Sequence, residues 1–305
     1  MTVTVACIGE AMIELSLRDE TPDLAGIGIA GDTLNTAVYL KRAAPDLAVD
    51  YVTRVGTDAL SKRIIGFIED EDVGSSRIGI TPDRGPGLYA ISTDARGERS
   101  FTYWRETSAA RTMFQKGEEA DLEILDGTEV MYLSAITLAI LSSRARAALL
   151  DWITRRRRRS ELRVAFDSNY RPRLWEDRIT AQRWIESYWR QTDIALPSLD
   201  DEQAIFGDLS EDAVIERLLR WGARHGALKR GASGPRSLSG VEIEALPVVS
   251  GIVDTTAAGD SFNGGYLAAH LTGMSEMNAL QAGHGLAVRV IRYHGAILPK
   301  EMPTA

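Results

Sequence analysis

The sequence predicts an α/β fold in which a doubly wound, mostly parallel sheet is flanked by helices and carries a small β-sheet lid. Two patterns support this prediction. Short apolar runs alternate with longer segments of helical period, and two stretches interrupt that alternation. A chain of 305 residues accommodates one large domain with an extension, so we expect residues 1–305 to form a single domain.

The apolar runs predict strands that are buried on both faces, as in a parallel sheet covered by helices. These runs are Val3–Ile8, Ala48–Val52, Val130–Leu133, Leu162–Phe166, Ile194–Leu196 and Ala227–Lys229. Segments of helical period lie between or after them: Asn35–Arg42, Ser61–Asp70, Ser142–Arg157, Ala181–Arg190, Asp212–His225 and Asp260–Leu271. Such an alternation favours a parallel sheet with helical connections.

The stretches that break the alternation are Met12–Ile29 and Gly85–Arg105. In the second, Leu88–Ser92 and Ser100–Trp104 flank a turn at Asp94–Glu98, a pattern that predicts a hairpin. We therefore expect residues of about 12–30 and 85–110 to form a small sheet that stands off the main one. Such a sheet is placed to close over a site as a lid.

The composition is that of an ordinary globular protein, with 44% hydrophobic and 26% charged residues, which excludes disordered and fibrous classes. A net charge of −8 gives no general attraction to nucleic acid or to an anionic membrane, so an anionic ligand requires a local cluster of cations or amides. The run Arg155–Arg159, with Arg144 and Arg146 upstream, is interpreted as the solvated C-terminal end of a helix rather than a nucleic-acid surface.

Cys7 is the only cysteine, which excludes an intramolecular disulfide and suits a reducing compartment; we expect it to be core. The N-terminus has no basic-then-apolar leader, and no apolar stretch reaches bilayer length. We therefore expect a cytoplasmic protein without membrane association. The histidines show no spacing typical of a zinc site, such as a pair four residues apart; they are His225, His270, His284 and His294.

The strongest chemical motif is Asp254–Gly265, which lies between a predicted strand and a helix and is rich in small residues. Free N–H groups and a positive dipole end suit an anionic phosphate at a helix opening. Beside a transferring phosphoryl group, Asp260 would accept the proton of an attacking hydroxyl. The alternative is an ordinary helix N-terminal carboxylate. The expected catalytic set is Ala257, Ala258, Gly259 and Asp260.

This motif resembles the C-terminal signature of PfkB carbohydrate kinases, usually Asp-Thr-x-Gly-Ala-Gly-Asp. Ala257 stands where that pattern has its first glycine, and 2-keto-3-deoxygluconate kinases commonly have the same alanine. The similarity to those kinases spans essentially the whole chain and includes Gly9–Leu15, Gly87–Tyr89 and Gly295–Pro299. The resemblance implies a ribokinase-like fold, with ATP and Mg²⁺ as cofactors.

The segment Gly31–Ala37 resembles the N-terminal sugar-binding element of the family, although most members have two consecutive glycines where this chain has Gly31 and Asp32. Without the family, Asp32 or Thr33 would simply cap a helix. Asn35 falls at the position that contacts a substrate hydroxyl, and its amide offers both a donor and an acceptor.

Two arginines lie beside aromatic residues, Arg105 after Tyr103-Trp104 and Arg171 within Asn169–Trp175. A guanidinium group pairs bidentately with a carboxylate, so both arginines in one cleft would favour a sugar acid over a neutral sugar. The alternative for each is a surface ion pair. The resemblance implies that Tyr89, Tyr103 and Arg105 reach the substrate from the lid and that Arg171 contacts it, or ATP, from the main sheet.

Lys229–Gly234 resembles the nucleotide loop of the family, although a basic turn is an equal alternative. The expected nucleotide-binding residues are Ser198, Lys229, Gly231, Ala232, Gly234, Ala257 and Gly259.

The Asn-x-x-Glu motif through which many members organise magnesium is altered to Ser198–Glu202, with Asp201 in the acidic role. We therefore expect Mg²⁺ to be held mainly through phosphates and water and name no protein ligand. The need for a monovalent cation stays open.

The resemblance implies ATP-dependent phosphorylation of 2-keto-3-deoxy-D-gluconate at C6. Two alternatives stay open: a neutral-sugar kinase of the fructokinase or ribokinase type, and a non-catalytic sugar-binding regulator. A nicotinamide-dependent dehydrogenase is disfavoured, because Gly9–Glu14 does not supply a glycine fingerprint after the first strand. An exposed lid sheet often pairs with another copy, so we also expect a homo-oligomer formed through the lid.

Overall fold

The computed structural model describes residues 3–17, 24–93, 99–116, 119–243 and 249–300. Its strands are β1 (Thr4–Ile8), β2 (Met12–Leu17), β3 (Ala25–Ala30), β4 (Ala48–Val55), β5 (Ile78–Ile80), β6 (Gly87–Thr93), β7 (Arg99–Trp104), β8 (Gln115–Lys116), β9 (Glu119–Ala120), β10 (Val130–Ser134), β11 (Arg163–Asp167), β12 (Ile194–Ala195), β13 (His225–Lys229) and β14 (Pro235–Ser237).

The helices flank these strands in chain order. They are α1 (Asp32–Ala43), α2 (Ala59–Asp70), α3 (Ala135–Ile140), α4 (Ser143–Arg158), α5 (Arg178–Trp189), α6 (Leu199–Phe206), α7 (Glu211–Trp221), α8 (Ala258–Leu271) and α9 (Glu276–Val290). No helix in the described part of the chain combines the length and the apolar character that crossing a bilayer requires.

The main sheet has eight strands in the order β14-β13-β12-β11-β10-β1-β4-β5. All neighbours pair in parallel except β13 and β14, which are antiparallel. The chain builds outward from β1 toward β4 and β5, then returns to β10 and builds the other way. The order therefore reverses between β1 and β10, and this switch point is where ligands bind in open α/β sheets.

Alternate side chains of the central strands pack into two separate hydrophobic cores, one on each face of the sheet. In β1, Val5 and Cys7 pack on the face that α1, α2, α8 and α9 cover, whereas Ala6 and Ile8 pack on the opposite face. All four side chains are fully buried. Burial on both faces explains why the strands read as continuous apolar runs, and it confirms Cys7 as a core residue.

A second, four-stranded sheet in the order β3-β2-β6-β7 forms the lid. β6 and β7 pair antiparallel, which confirms the predicted hairpin, while its predicted turn at Asp94–Glu98 lies outside the described residues. Some apolar side chains of the lid are exposed to solvent: Leu17, Leu24, Ile27 and Trp104.

The predicted fold class is confirmed, and the predicted strands and helices of the main sheet are all present with ends shifted by a few residues. Three helices were not predicted: α3, α6 and α9. The prediction of a solvated arginine surface was wrong for Arg146, which is 2% exposed. Its Nε donates to the carbonyl of Leu138 (2.6 Å) and its Nη2 to that of Ala139 (3.3 Å), so it satisfies carbonyl groups of α3 that the helix leaves free.

Candidate functional site

A cleft of about 1070 Å³ lies between the C-terminal edge of the main sheet and the lid. It sits at the switch point beside the ends of β1 and β10. Its lining includes most of the predicted site residues, from both halves of the chain: Gly31, Asp32, Asn35, Tyr89, Tyr103, Arg105, Arg171, Ser198, Lys229, Ala257, Ala258, Gly259 and Asp260. Arg105 and Arg171 therefore share one cavity with Asp260.

The floor of the cleft is the N-terminus of α8. The residue before the helix, Ala257, adopts the left-handed conformation with φ 59° and ψ 16°. This turn aims the first helical amides at the cleft. The N–H of Ala258 donates to the carbonyl of Thr255 (3.2 Å), whereas Gly259 and Asp260 lie in the first turn, where amides have no acceptor within the helix. Of the predicted amides, those of Gly259 and Asp260 are best placed to receive an anion.

Close packing of α1 against α8 places their polar side chains in contact. A Cβ atom at Gly264 would lie 2.6 Å from Cβ of Tyr39 and 3.0 Å from the carbonyl oxygen of Thr36. The glycine therefore lets the two helices approach, as a small residue does at any tight helix crossing. Because the two helices lie this close together, Nδ2 of Asn35 in α1 donates a hydrogen bond to Oδ2 of Asp260 in α8 (2.8 Å).

Asp260 is half-buried among other carboxylates. Burial, together with the charges of Asp32 and Asp167, raises the pKa of Asp260 to about 8, against the opposing effects of Asn35 and Lys229. Desolvation disfavours the ionised form of a carboxyl group, and like charges add to that effect. The carboxyl group is therefore poised to hold or release a proton near neutral pH.

Asp32, the first residue of α1, connects this helix to the end of β10 and to the loop that follows β11. Its Oδ2 accepts hydrogen bonds from Oγ of Ser134 and from Nδ2 of Asn169, the latter at 2.9 Å. Burial raises the pKa of Asp32. The simpler interpretation of Asp32 or Thr33 as a helix cap was wrong, because α1 begins after Gly31 and has no side-chain cap.

Lys229 ends β13 and points back into the cleft. Its Nζ donates to Oδ2 of Asp167 (2.7 Å) and to Oδ1 of Asn263 (3.2 Å). A Cβ atom at Gly259 would lie 3.6 Å from Nζ, so the ammonium group is next to the first turn of α8. The lysine thus brings a positive charge to the place where the free amides of that helix point.

The lid contributes aromatic rings above this floor. Tyr89 and Tyr103 stack with ring centroids 5.7 Å apart, and the hydroxyl of Tyr89 donates to Oε2 of Glu14. Tyr89 is buried whereas Tyr103 is exposed, and both line the cleft. The predicted placement of the two tyrosines on the lid is confirmed; their contact with a substrate stays a prediction.

Arg105 differs from its predicted role in one respect, because it already has a carboxylate partner within the protein. Its Nε and Nη2 both donate to Oε2 of Glu10, the former at 2.8 Å. The arginine is 6% exposed and Glu10 2%. Among the described residues no acceptor is bonded to Nη1 of Arg105, so this atom can still donate to a ligand. Glu10 fixes the direction of the guanidinium group.

Arg171 is the more accessible of the two arginines, with 55% of its side chain exposed. Its Nη1 lies 3.6 Å from Oδ1 of Asp201 and donates to the carbonyl of Tyr170 at 2.9 Å. Burial raises the pKa of Asp201 to about 6, although Arg171 opposes the shift. Asp201 lines the cleft, whereas the next residue, Glu202, is fully buried and pairs with Arg217.

The predicted nucleotide loop is only partly in the cleft. Lys229 and Ser198 line it and pair through an isolated β-bridge, but Gly231, Ala232 and Gly234 are not among the lining residues. They form a tight turn in which Gly231 and Gly234 have φ of 55° and 74°, a conformation that favours glycine. Their part in nucleotide binding stays a prediction.

Sequence reasoning missed three polar residues of the site: Glu10, Asp167 and Asn169. Asp167 and Asn169 directly follow the apolar residues of β11. Polar residues at the carboxyl ends of adjacent parallel strands meet at one edge of the sheet, and this signal would have identified the pair. Glu10 similarly follows β1.

The arrangement combines three chemical capabilities in one cavity. Asp260 can accept a proton, the first turn of α8 with Lys229 can hold an anion, and Asn35 with the arginines can bind a polar, acidic molecule. Such a set is what transfer of a phosphoryl group to a hydroxyl requires, since that reaction depends on positioning and on stabilising charge.

Comparison with known proteins gives a consistent picture. A family model described as pfkB family carbohydrate kinase matches residues 3–304. The 2-dehydro-3-deoxygluconokinase of Escherichia coli strain K12 is 42% identical over 309 residues, which cover 99% of each chain. The enzyme of the same name from Dickeya dadantii strain 3937 is 42% identical over 308 residues, 98% of each chain.

Solved structures share the fold at lower sequence identity. One is a provisionally assigned ribokinase II of Escherichia coli in complex with ATP and Mg²⁺. It superposes with a TM-score of 0.81 at 20% identity, over 97% of this chain and 94% of that one.

The left-handed conformation of Ala257 leads to a stability prediction. An alanine with positive φ is strained by its Cβ, so Ala257→Gly should raise the free energy of unfolding by about 1 kcal/mol. Ala258→Gly is the matched control, because Ala258 is right-handed, and there glycine should lower stability by up to about 1 kcal/mol. Chemical denaturation measures both. Equal destabilisation by the two variants would contradict the assigned turn.

The raised pKa of Asp260 predicts a pH-dependent stability difference between the wild type and Asp260→Asn. In the folded protein the pKa of Asp260 is about 8, above its ordinary value of 3.8. The wild type therefore loses stability as the pH rises from about 4 to about 8, because only the unfolded chain releases the proton easily, whereas the neutral variant does not. The loss is at most about 1.4 kcal/mol per pH unit and is reduced by solvent in the open cleft.

Unfolding free energies of both proteins from pH 5 to pH 9 provide the measurement. The advantage of the variant should grow up to about pH 8 and then level off. A constant difference across the whole range would show that Asp260 has an ordinary pKa.

Proposed function

This chain belongs to the pfkB family of carbohydrate kinases, and we propose that it transfers the γ-phosphoryl group of ATP to 2-dehydro-3-deoxygluconate, the acid also called 2-keto-3-deoxygluconate. The observation that carries the proposal is the shared cleft, in which Arg105 and Arg171 line the same cavity as the Asp260 carboxylate and the opening of α8. Full-length relatives at 42% identity bear the name of this activity.

In the proposed reaction Asp260 is the general base. The primary hydroxyl at C6 of the sugar acid transfers its proton to a carboxylate oxygen of Asp260. At the same time the hydroxyl oxygen attacks the γ-phosphorus of ATP. The bond between that phosphorus and the bridging oxygen breaks, and ADP leaves. The pKa of about 8 suits the task, because a base with a pKa near the working pH both accepts and releases a proton readily. Asn35 orients the carboxylate through its hydrogen bond.

The transferring phosphoryl group would meet the amides of Gly259 and Asp260 at the start of α8. Helix N-termini bind anions because their free N–H groups and dipole both favour negative charge. The ammonium group of Lys229 lies beside the same turn and would neutralise phosphate charge. Groups that are already oriented toward developing charge cost no reorganisation during the reaction.

The residues around this turn also fit a magnesium ion. Asp167, Asp201 and Ser198 line the cleft and offer only oxygen atoms, the ligand type that Mg²⁺ prefers. We propose that Asp201 and Asp167 hold the ion, largely through water. Bound Mg²⁺ would supply charge neutralisation on the β- and γ-phosphates.

Recognition of the acid is assigned to the two arginines. Nη1 of Arg105 would donate one hydrogen bond to the substrate carboxylate from a guanidinium group that Glu10 holds in place. Arg171, with its exposed side chain, would provide a second contact from the opposite wall. The competing function is a neutral-sugar kinase, and the ion pair that Arg105 already makes with Glu10 is the observation in its favour.

We further propose that two copies associate through the lid. Leu24 is 69% exposed and Trp104 54%, and the same sheet also exposes Leu17 and Ile27. Apolar surface of this kind on a sheet is typical of protein interfaces. A cytoplasmic location remains the expectation from the sequence.

The role of Asp260 as base leads to a kinetic prediction. Asp260→Asn should retain ATP binding and lower kcat by roughly 100-fold to 10,000-fold, because an amide cannot accept the hydroxyl proton. A coupled assay of ADP release measures the rate. Asp200→Asn, which changes an exposed acid of α6 outside the cleft, is the control and should keep normal turnover. Near-normal turnover in Asp260→Asn would remove this residue from the mechanism.

The assignment of acid recognition leads to a specificity prediction. Arg105→Lys keeps a charge beside the buried Glu10 but loses the guanidinium fork, so it tests recognition without leaving that carboxylate unpaired. Loss of one charge-assisted hydrogen bond should raise KM for the sugar acid roughly 10-fold to 100-fold and change kcat little.

KM for the sugar acid in Arg171→Lys, compared with that in Arg105→Lys, shows which arginine contributes more to binding of the acid. Fructose serves as a neutral substrate for comparison. KM for fructose should not change in either variant. An equal rise of KM for fructose and for the acid would mean that the arginines shape the cleft rather than bind a carboxylate.

A further inference from the structure

A cluster of three metal-ligating side chains lies away from the cleft. His225 begins β13, His270 is near the end of α8, and Glu276 begins α9. One donor atom from each residue lies within 4.8 Å of the others. The two imidazole rings have centroids 5.1 Å apart. Residues from three elements, separated in sequence by up to 51 positions (276 − 225), therefore converge on one point.

The chemistry of the cluster points to a first-row divalent transition metal. Imidazole nitrogen suits zinc, copper and nickel, and two histidines with one carboxylate form a common three-ligand zinc set that leaves a position for water. Zinc bonds of about 2.0–2.2 Å place neighbouring donors roughly 3.3 Å apart. His225 is exposed, so rotation of its side chain can move its donor atom closer to the other two.

The surroundings hold Glu276 as a ligand would be held. Its Oε2 accepts a hydrogen bond from the hydroxyl of Tyr266 (2.8 Å), and its Oε1 accepts one from Oγ of Ser237 (3.2 Å). The ring of Tyr266 also stacks on His270, with centroids 5.8 Å apart. Outer hydrogen bonds of this kind orient metal ligands in known sites. The nearby cation, Arg163, is exposed, so solvent screens its charge.

The cluster lies at the opposite ends of two elements that form the catalytic floor. β13 begins at His225 and ends at Lys229 in the cleft, and α8 begins beside Asp260 and runs to His270. His270 lies ten positions after Asp260 in α8, about 15 Å along the helix axis. A bound ion would tie β13 to α8 and α9 without touching the substrate.

We propose that His225, His270 and Glu276 form a site for one divalent transition-metal ion, of the zinc class, that joins β13 to α8 and α9. Because an ion held by the folded protein and not by the unfolded chain shifts the folding equilibrium, its binding stabilises the fold. Cys7 cannot compete for the ion, since it is fully buried in β1.

Zinc titration of the tag-free protein against a chromogenic chelator tests the site. We expect one Zn²⁺ ion per chain and a melting temperature that rises with zinc concentration. His225→Ala and Glu276→Gln should each weaken zinc binding at least tenfold and abolish the rise. His225 is exposed and glutamine can still hydrogen bond to Tyr266, so both variants should fold, which circular dichroism checks.

His294→Ala is the matched control, because it removes an exposed histidine elsewhere, and it should bind zinc like the wild type. Excess Mg²⁺ should leave the bound zinc in place, because Mg²⁺ prefers oxygen ligands to imidazole. Three outcomes would overturn the proposal: no zinc binding, wild-type zinc affinity in both His225→Ala and Glu276→Gln, or displacement of zinc by excess Mg²⁺. The last outcome would locate the ion among the carboxylates of the cleft.

Discussion

The close approach of α1 and α8 is the constraint on which the rest of the site depends. Gly264 lets the backbone of α8 lie against Thr36 and Tyr39, and the hydroxyl of Thr36 donates to the carbonyl oxygen of Asp260 (3.1 Å). Gly265 plays the same part toward α9, since a Cβ there would lie 2.8 Å from the carbonyl oxygen of Ala282. The small residues that follow Asp260 therefore position it.

Electrostatics then decides what this position can do. Asp32, Asp167 and Asp260 act on one another across the floor of the cleft, and Lys229 is the cation placed among them. Such a concentration of carboxylates is costly by itself, and it makes the site receptive to a hydroxyl proton and to a divalent cation. In the proposed function, this cost in stability is offset by the use of the carboxylates in the reaction.

Much of this could be predicted from the sequence, because local signals coincide with the features they predict. The stretch Asp254–Gly265 predicted a helix that begins beside a carboxylate. The apolar runs that alternate with helical segments predicted a sheet buried on both faces. The hairpin of the lid was visible in the same way. Each of these features arises from residues that are neighbours in the chain.

What could not be predicted depends on pairs that only the fold brings together. Glu10 and Arg105 are 95 residues apart, and nothing in either segment indicates that the arginine already has a partner. Histidine spacing gave no sign of the cluster at His225 and His270, since its three residues come from three different elements. The burial of Arg146 was hidden by the arginines that follow it in α4.

Identification of the reaction product shows whether the cleft phosphorylates a sugar acid. The protein would be incubated with 2-dehydro-3-deoxygluconate, ATP and Mg²⁺ and followed by phosphorus NMR, with fructose in a parallel sample. We expect a phosphomonoester signal that is split by the two protons of the primary C6 carbon. This signal should form in step with ADP and faster than any fructose phosphate. Faster phosphorylation of fructose, or release of inorganic phosphate alone, would contradict the proposed function.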